Sequence, residues 1–408
     1  MFYTCKPNME NIILKDNQQQ ELPVFDSQEG CVFRIPALCY NSSSKTLFAF
    51  AEKRKTLSDN DAEMLVMKTA KLNKDDPIDG KIQWSELKEV KNANLPGRRT
   101  MNPCPVYEKK SKKLFLFFIC VKNGYSEQWQ IRLCCNKARL CYITTADDGE
   151  NWSVLKDLTP ELPEIGDWAT FAVGPGHGFQ TQSDRLIVPV YAYKKKLDCC
   201  CFPKCCAATS YALALYTDDP DKGWQFGNML QTESGECQMA EILDDKGNWV
   251  VYCNARSKSG HRVEAVSVDE GGNFSNLKLE KLDDTKKEGC QGSVVSFPAL
   301  SEDEQNSNKT WLLFSHTTNV KERVDLGVYL NKSPQDPDEW SKPWIINKGI
   351  SGYSDLAYIG NGRFVCLMEC WEKKTEEGKT SKKKDPISGH LISSMMFSYD
   401  QVEQGIKE

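Results

Sequence analysis

The chain alternates short apolar runs with clusters of turn-forming residues. Thr46-Leu47-Phe48-Ala49-Phe50-Ala51 and Trp311-Leu312-Leu313-Phe314-Ser315 are typical: each is of strand length, rich in aromatic and aliphatic side chains, and bounded by Gly, Asn, Asp or Pro. Such runs, repeated along the chain, predict a sheet-rich protein. The best amphipathic helical stretch, Met395 to Ile406, is weak, so helix is expected to be a minor component. The longest apolar run, Leu114 to Val121, is far short of the roughly 20 residues that a membrane-spanning helix needs.

A turn pattern recurs between the runs. Thr145-Ala146-Asp147-Asp148-Gly149-Glu150-Asn151-Trp152 and Ser267-Val268-Asp269-Glu270-Gly271-Gly272-Asn273-Phe274 share one spacing of hydroxyl, aspartate, glycine and aromatic. The hydroxyl and carboxylate can bond turn backbone, glycine allows a positive φ, and the aromatic can plug the hairpin from below. Degenerate copies lie at Thr217 to Trp224 and Ser333 to Trp340, and Trp84 closes a further loop. Aromatics at intervals of roughly 50 to 70 residues suit a four-stranded propeller blade with its connections. The expected fold is all-β: one propeller of about six blades spanning residues 1–408, with insertions at 194–206, rich in Lys and Cys, and 372–386, rich in charge.

The formal net charge of −5 and a sequence pI near 5.7 argue against nucleic acid as a partner. Eighteen cysteines in a short secreted chain would suggest a disulfide framework, but this chain is long and Met1 to Pro23 lacks the apolar core of a signal peptide. The expectation is therefore reduced cysteines in a cytosol-facing protein.

Three arginines stand out by their settings. Arg34 lies in Phe33-Arg34-Ile35-Pro36, Arg256 in Asn254-Ala255-Arg256-Ser257, and Arg323 in Arg323-Val324-Asp325-Leu326, each beside an apolar run. A guanidinium holds a carboxylate through two parallel charge-assisted bonds, so three converging arginines would form a strict receptor for an acidic sugar or acid.

The Phe33 to Pro36 segment, the aspartate turns and the separated arginines resemble the sialidase (exo-α-neuraminidase) superfamily. Ala49-Phe50-Ala51-Glu52-Lys53-Arg54, Thr100-Met101-Asn102-Pro103-Cys104-Pro105, Phe171 to His177, Gly289-Cys290-Gln291-Gly292-Ser293 and Tyr353-Ser354-Asp355-Leu356 resemble the vertebrate cytosolic and plasma-membrane members. The membrane-associated, ganglioside-preferring type is the nearest. The resemblance spans about Cys31 to Glu369 and implies a six-bladed propeller with Asp-box turns and a retaining exo-α-sialidase site on its axis.

It implies roles residue by residue. Arg34, Arg256 and Arg323 match the triad that grips the sialic acid carboxylate; Tyr353 matches the nucleophile and Glu236 the carboxylate that activates it. In the polar segment Ser58 to Glu63, gapless alignment on Ala49 to Arg54 selects Asp59 as general acid, with Asp61 the alternative. Arg54 matches a further pocket arginine. Met101 and Asn102 are placed beside the N-acyl group, Glu127 facing the triad and sugar, and Tyr191 and Tyr193 along the glycerol chain. Met101 also suits ordinary core filling.

The family chemistry requires no cofactor and no metal, and the histidines at 177, 261, 316 and 390 are not paired at ligand spacing. The implied substrates are gangliosides, oligosaccharides and glycoproteins bearing terminal sialic acid. Cysteines 199–206 beside Lys194 to Lys196 suit S-acylation and peripheral membrane contact, or equally a loop that shapes substrate access. A silent sialic-acid-binding propeller is the alternative to an enzyme.

Overall fold

A computed structural model of the chain describes residues 22–72, 81–196, 207–277, 281–285, 288–300, 309–371 and 389–407. The cysteines at 199–206 and the charged insertion at 372–386 lie outside the described residues.

Antiparallel strands form five hydrogen-bonded sheets. Three are four-stranded meanders: Val32–Asn41, Thr46–Arg54, Ala62–Lys71 and Lys88–Glu89; Arg98–Glu108, Lys113–Lys122, Ala138–Thr145 and Lys156–Asp157; and Cys237–Leu243, Trp249–Ala255, Val263–Ser267 and Ser275–Asn276. A fourth runs through Trp168–Val173, Leu186–Lys195, Ala208–Thr217 and Gln225–Phe226, with Phe179–Gln180 paired alongside. These four are separate blade-like sheets, where six separate blades were expected.

The remainder is one seven-stranded sheet. It contains Ser293–Pro298, Thr310–Thr317, Val324–Asn331, Trp344–Gly360, Arg363–Trp371, His390–Ser398 and Leu22–Asp26. The cause is the 17-residue strand Trp344–Gly360, which runs on where a blade-ending turn was expected. Its residues 344–350 pair with the strand before it and residues 351–360 with the strand after it. The sheet's two halves pack on each other through Val295, Leu313, Leu356, Phe364 and Phe397. Leu22–Asp26 pairs with His390–Ser398, so the first described strand completes the last sheet.

Neighbouring sheets share apolar layers, which explains the strands' apolar runs. Phe48 and Phe50 of the first sheet pack with Leu116 and Phe118 of the second, and Phe117 packs with Val188 and Leu213 of the fourth. Ile187 and Ala214 meet Val251 and Cys253, and Tyr252 meets Leu312 and Phe314. The first and last sheets join through Phe33, Leu38, Val365 and Leu367, which closes the ring. In both aspartate turns the hydroxyl donates to the aspartate (Thr145 to Asp147, Ser267 to Asp269, each 2.7 Å) and accepts the glycine N–H. The aspartate accepts the N–H of Asn151 or Asn273. Phe274 and Trp340 are buried and Trp84 donates to Ser394 across 3.0 Å.

Two expectations need correction. The stretch Met395 to Ile406 is divided: strand continues to Ser398 and only Tyr399–Lys407 is helical, because Met395 and Phe397 fill the core between strands. Cys134, at the end of the helix Glu127–Leu133, is disulfide-bonded. Spacing carried no sign of this bond. Cys104, Cys237 and Cys290 are among the cysteines that remain free and buried.

Candidate active site

The site is built at strand ends where the sheets converge, on locally distorted backbone. Pairing slips between Arg34 and Ala37, and Ile35 sits at φ 58°. A positive φ is strained for a β-branched residue, so it needs an anchor; the Ile35 N–H donates to Glu369 across 2.9 Å. A second slip follows Met101, where Asn102 has φ 57° and its N–H donates to Glu52 across 2.7 Å. Such bulges re-aim side chains at a strand's end.

These ends surround a cavity of about 700 Å³. All twelve residues singled out from the sequence line it: Arg34, Arg54, Asp59, Met101, Asn102, Glu127, Tyr191, Tyr193, Glu236, Arg256, Arg323 and Tyr353. The cavity has an ordered floor. The Tyr353 hydroxyl donates to Glu236 across 2.7 Å and accepts from Arg256 across 3.1 Å, and Arg256 also donates to Glu236 across 2.6 Å. Glu236 and Arg256 are neighbours because Cys237 faces Ala255 across the strand pair and the Arg256 N–H donates to the Glu236 carbonyl. Arg34 and Arg323 lie over the Tyr353 ring, at 5.5 and 5.7 Å from its centroid. The three arginines thus meet at one phenol.

Electrostatics follow from this enclosure. Burial, and then the Glu236 carboxylate, hold the Tyr353 phenol well above its ordinary pKa, so it stays neutral until a base takes its proton. Burial opposes the charge on Arg34, but Glu369 and the Tyr353 oxygen outweigh it and raise the pKa. Burial, with Glu236 and Asp59 nearby, pushes the Glu127 carboxyl up to about 7. Tyr191 donates to that carboxyl across 3.4 Å, and its ring stands edge-on to Tyr193.

Asp59 lies on the exposed turn Asp59–Asp61, capped by Ser58. It accepts from Arg54 across 2.6 Å and lies 4.0 Å from Arg34. Asp61 is held elsewhere, by Thr56 across 2.5 Å, and does not line the cavity. Arg54 is completely buried, and its charge is balanced from behind by Glu52 at 2.5 Å.

Two acidic residues were missed as site components. Glu369 grips Arg34 through both oxygens (3.1 and 3.2 Å) and accepts the Ile35 and Tyr353 N–H groups. Glu52 joins Arg54 to the Asn102 backbone. Their signal was an acid inside an apolar strand, in Leu367-Met368-Glu369-Cys370 and Phe50-Ala51-Glu52, since such charges are retained only when paired.

Glu369 supports a stability prediction. Burial alone would raise its carboxyl, but Arg34 and the donors around it hold it at about 2. A lowered carboxyl stabilises the fold above its unfolded pKa, and that contribution fades as pH falls from about 4.5 toward 2. Glu369→Gln is therefore expected to lose about 3 kcal/mol near pH 7. Denaturant titration should show the gap to wild type closing as the buffer approaches pH 2; equal midpoints at pH 7 would contradict the pairing.

Among the described residues, no group of three or more His, Cys, Asp or Glu could hold a metal, and no helix is long and apolar enough to cross a membrane.

Residues 45–366 match the family profile described as a BNR repeat-like domain. Sialidase-3 of Bos taurus is 42% identical over 387 residues, covering 86% of this chain and 89% of the relative. Sialidase-2 of Cricetulus griseus is 42% identical over 349 residues, covering 83% and 88%. Among solved structures, Trypanosoma rangeli sialidase in complex with 2,3-difluorosialic acid, described as a covalent intermediate, superposes with a TM-score of 0.65 at 16% identity. That match covers 95% of this chain and 59% of the other, and at this identity it speaks for the fold. The chain belongs to the vertebrate sialidase family and is a glycoside hydrolase carrying a BNR repeat-like domain.

Proposed function

We propose that this sialidase removes terminal α-linked sialic acid with retention, through a covalent intermediate on Tyr353. The observation that carries the reading is the neutral Tyr353 phenol, 2.7 Å from Glu236 and ringed by Arg34, Arg256 and Arg323. The arginines bind the sugar carboxylate. Because that carboxylate sits on the anomeric carbon, an anionic nucleophile would approach against like charge; sialidases accordingly use tyrosine where other retaining glycosidases use a carboxylate.

Glu236 takes the phenol proton as the Tyr353 oxygen bonds to the anomeric carbon, and Asp59 protonates the departing glycosidic oxygen. Water then attacks the same carbon, Asp59 takes its proton, and the released Tyr353 oxygen recovers its own from Glu236. The trypanosomal sialidase is itself described as a covalent intermediate with 2,3-difluorosialic acid, a precedent for the covalent step. Met101 and Asn102 accept the N-acyl end, with Glu127, Tyr191 and Tyr193 around the glycerol chain. The shared bonding of the two aspartate turns supports reading them as Asp boxes.

Gangliosides are proposed as preferred substrates, with oligosaccharides and glycoproteins also accepted, at a cytosol-facing membrane surface. This finer reading rests on the sequence resemblance to the membrane-associated type and on the basic run Lys194 to Lys196. The test is release of 4-methylumbelliferone from its α-sialoside at mildly acidic pH, followed by ganglioside GM3 in micelles against sialyllactose. Turnover with a preference for GM3 supports both levels; turnover without that preference overturns the ganglioside choice alone. A protein that binds sialic acid without turnover would be the silent propeller.

Glu127 sets an expected pH dependence. Ionising a carboxyl in a pocket built for an anion adds like charge, so kcat/KM should fall as pH rises through about 7. Glu127→Gln should flatten that limb of the profile, and an unchanged limb in the variant would assign it to another group.

A further inference from the structure

Residues Glu288, Gly289 and Cys290 each touch a different part of the site. The Glu288 carbonyl accepts Arg256 Nε across 2.6 Å, and the Gly289 carbonyl accepts Arg323 Nη2 across 2.9 Å. The Cys290 side chain packs with Ile35 and Tyr353. Two arginines and the phenol thus take their positions from three consecutive residues.

A buried carboxylate just upstream holds this segment. Asp284 Oδ1 accepts the Cys290 N–H across 2.7 Å and the Thr285 N–H across 2.8 Å; Oδ2 accepts the N–H of Ser257, the residue after Arg256, across 3.2 Å. Asp284 reaches both flanks of the arginine pair. Its own partners are fixed: Arg262, also fully buried, donates to Asp284 across 3.0 Å, to the Cys290 carbonyl across 2.6 Å and to Asn254 across 2.8 Å. His316 Nε2 lies 3.2 Å away, its ring stacked on Phe314. Burial opposes the Asp284 charge, but Arg262 and His316 hold its pKa well below the ordinary value. Asp284 does not line the cavity.

We propose that Asp284 is a positioning residue for substrate binding: it fixes residues 288–290 and Ser257 and so aims Arg256 and Arg323 at the substrate carboxylate. This rests on the reading of those arginines as the carboxylate receptor. Guanidiniums on flexible stems bind a planar anion bidentately only when their direction is set beforehand. Loss of that direction weakens ground state and transition state alike, so it raises KM more than it lowers kcat.

The test uses the full chain with Asp284→Asn and, separately, Gly289→Ala. The glycine variant keeps the Asp284 and Arg262 charges but crowds the segment they hold: Gly289 has φ +68°, and an added Cβ would lie 2.7 Å from the Ser257 carbonyl oxygen and 2.8 Å from both Arg256 Cγ and Asp284 Oδ2. The readout is inhibition by 2-deoxy-2,3-didehydro-N-acetylneuraminic acid as free acid and as methyl ester, beside KM, kcat and the thermal midpoint. In both variants the preference for the free acid is expected to fall by about tenfold and KM to rise by about as much, with kcat falling by less than KM rises.

A merely structural role would lower the thermal midpoint and leave the preference for the free acid intact, which would overturn the inference. Should Asp284→Asn not fold, Gly289→Ala decides in the same terms. A wild type that hydrolyses the sialoside without preferring the free acid would overturn the arginine reading and this inference with it. Wild-type preference retained in folded variants would overturn the inference alone.

Discussion

Tyr353→Phe is expected to lower kcat by on the order of 10³-fold or more while sialic acid analogues still bind. The substitution removes one oxygen from a 2.7 Å contact with Glu236 and a 3.1 Å contact with Arg256, and leaves the ring beneath Arg34 and Arg323. The arginines stay anchored without the hydroxyl: Arg34 to Glu369, Arg256 to Glu236 and the Glu288 carbonyl, Arg323 to the Gly289 carbonyl. Binding and bond-making therefore separate at this one atom. Steady-state kinetics with 4-methylumbelliferyl sialoside, beside calorimetric titration of an analogue, measure the two halves. A variant that keeps wild-type kcat would remove Tyr353 from the mechanism.

Arg323→Ala is expected to lower kcat/KM through binding, by about 2 to 5 kcal/mol, which corresponds to roughly 30- to 5,000-fold. Arg323 is the cleanest triad member to test. Removing Arg34 would strand Glu369 as an uncompensated buried charge, and removing Arg256 would strip Glu236 of its 2.6 Å partner beside the nucleophile. Arg323 makes its side-chain hydrogen bond to a backbone carbonyl, so its loss exposes fewer side effects. The variant should keep the pH profile of wild type and show its deficit mainly as a raised KM. Wild-type KM in a folded Arg323→Ala protein would place the substrate carboxylate elsewhere.

The parts of this site legible in the sequence were those with a local signature. Arg34, Arg256, Arg323 and Tyr353 sit in short motifs whose neighbours announce a strand end, and all converge on one cavity. Glu369 was not legible because its meaning is set by a partner distant in the chain: Arg34 and Glu369 are 335 residues apart. An acid in an apolar strand signals that it must be paired, but not with what. The separate-blade count failed for a related reason. Sequence spacing marks where turns can form, whereas the strand Trp344–Gly360 passes such a place at Gly349 without turning back, because its two halves find pairing partners on opposite sides. The C-terminal helix was read too early because Met395 and Phe397 fit an amphipathic period as well as a core strand.

A covalent bond between Tyr353 and the sugar is detected by mass spectrometry of the protein after reaction with 2,3-difluorosialic acid. Attack by the Tyr353 oxygen expels fluoride from the anomeric carbon, and the remaining fluorine slows breakdown of the adduct. Peptide mapping should then find one 3-fluorosialyl group on Tyr353 and none on Tyr353→Phe. An adduct on Asp59 or Glu236, or wild-type protein that hydrolyses sialosides yet forms no adduct, would contradict the mechanism.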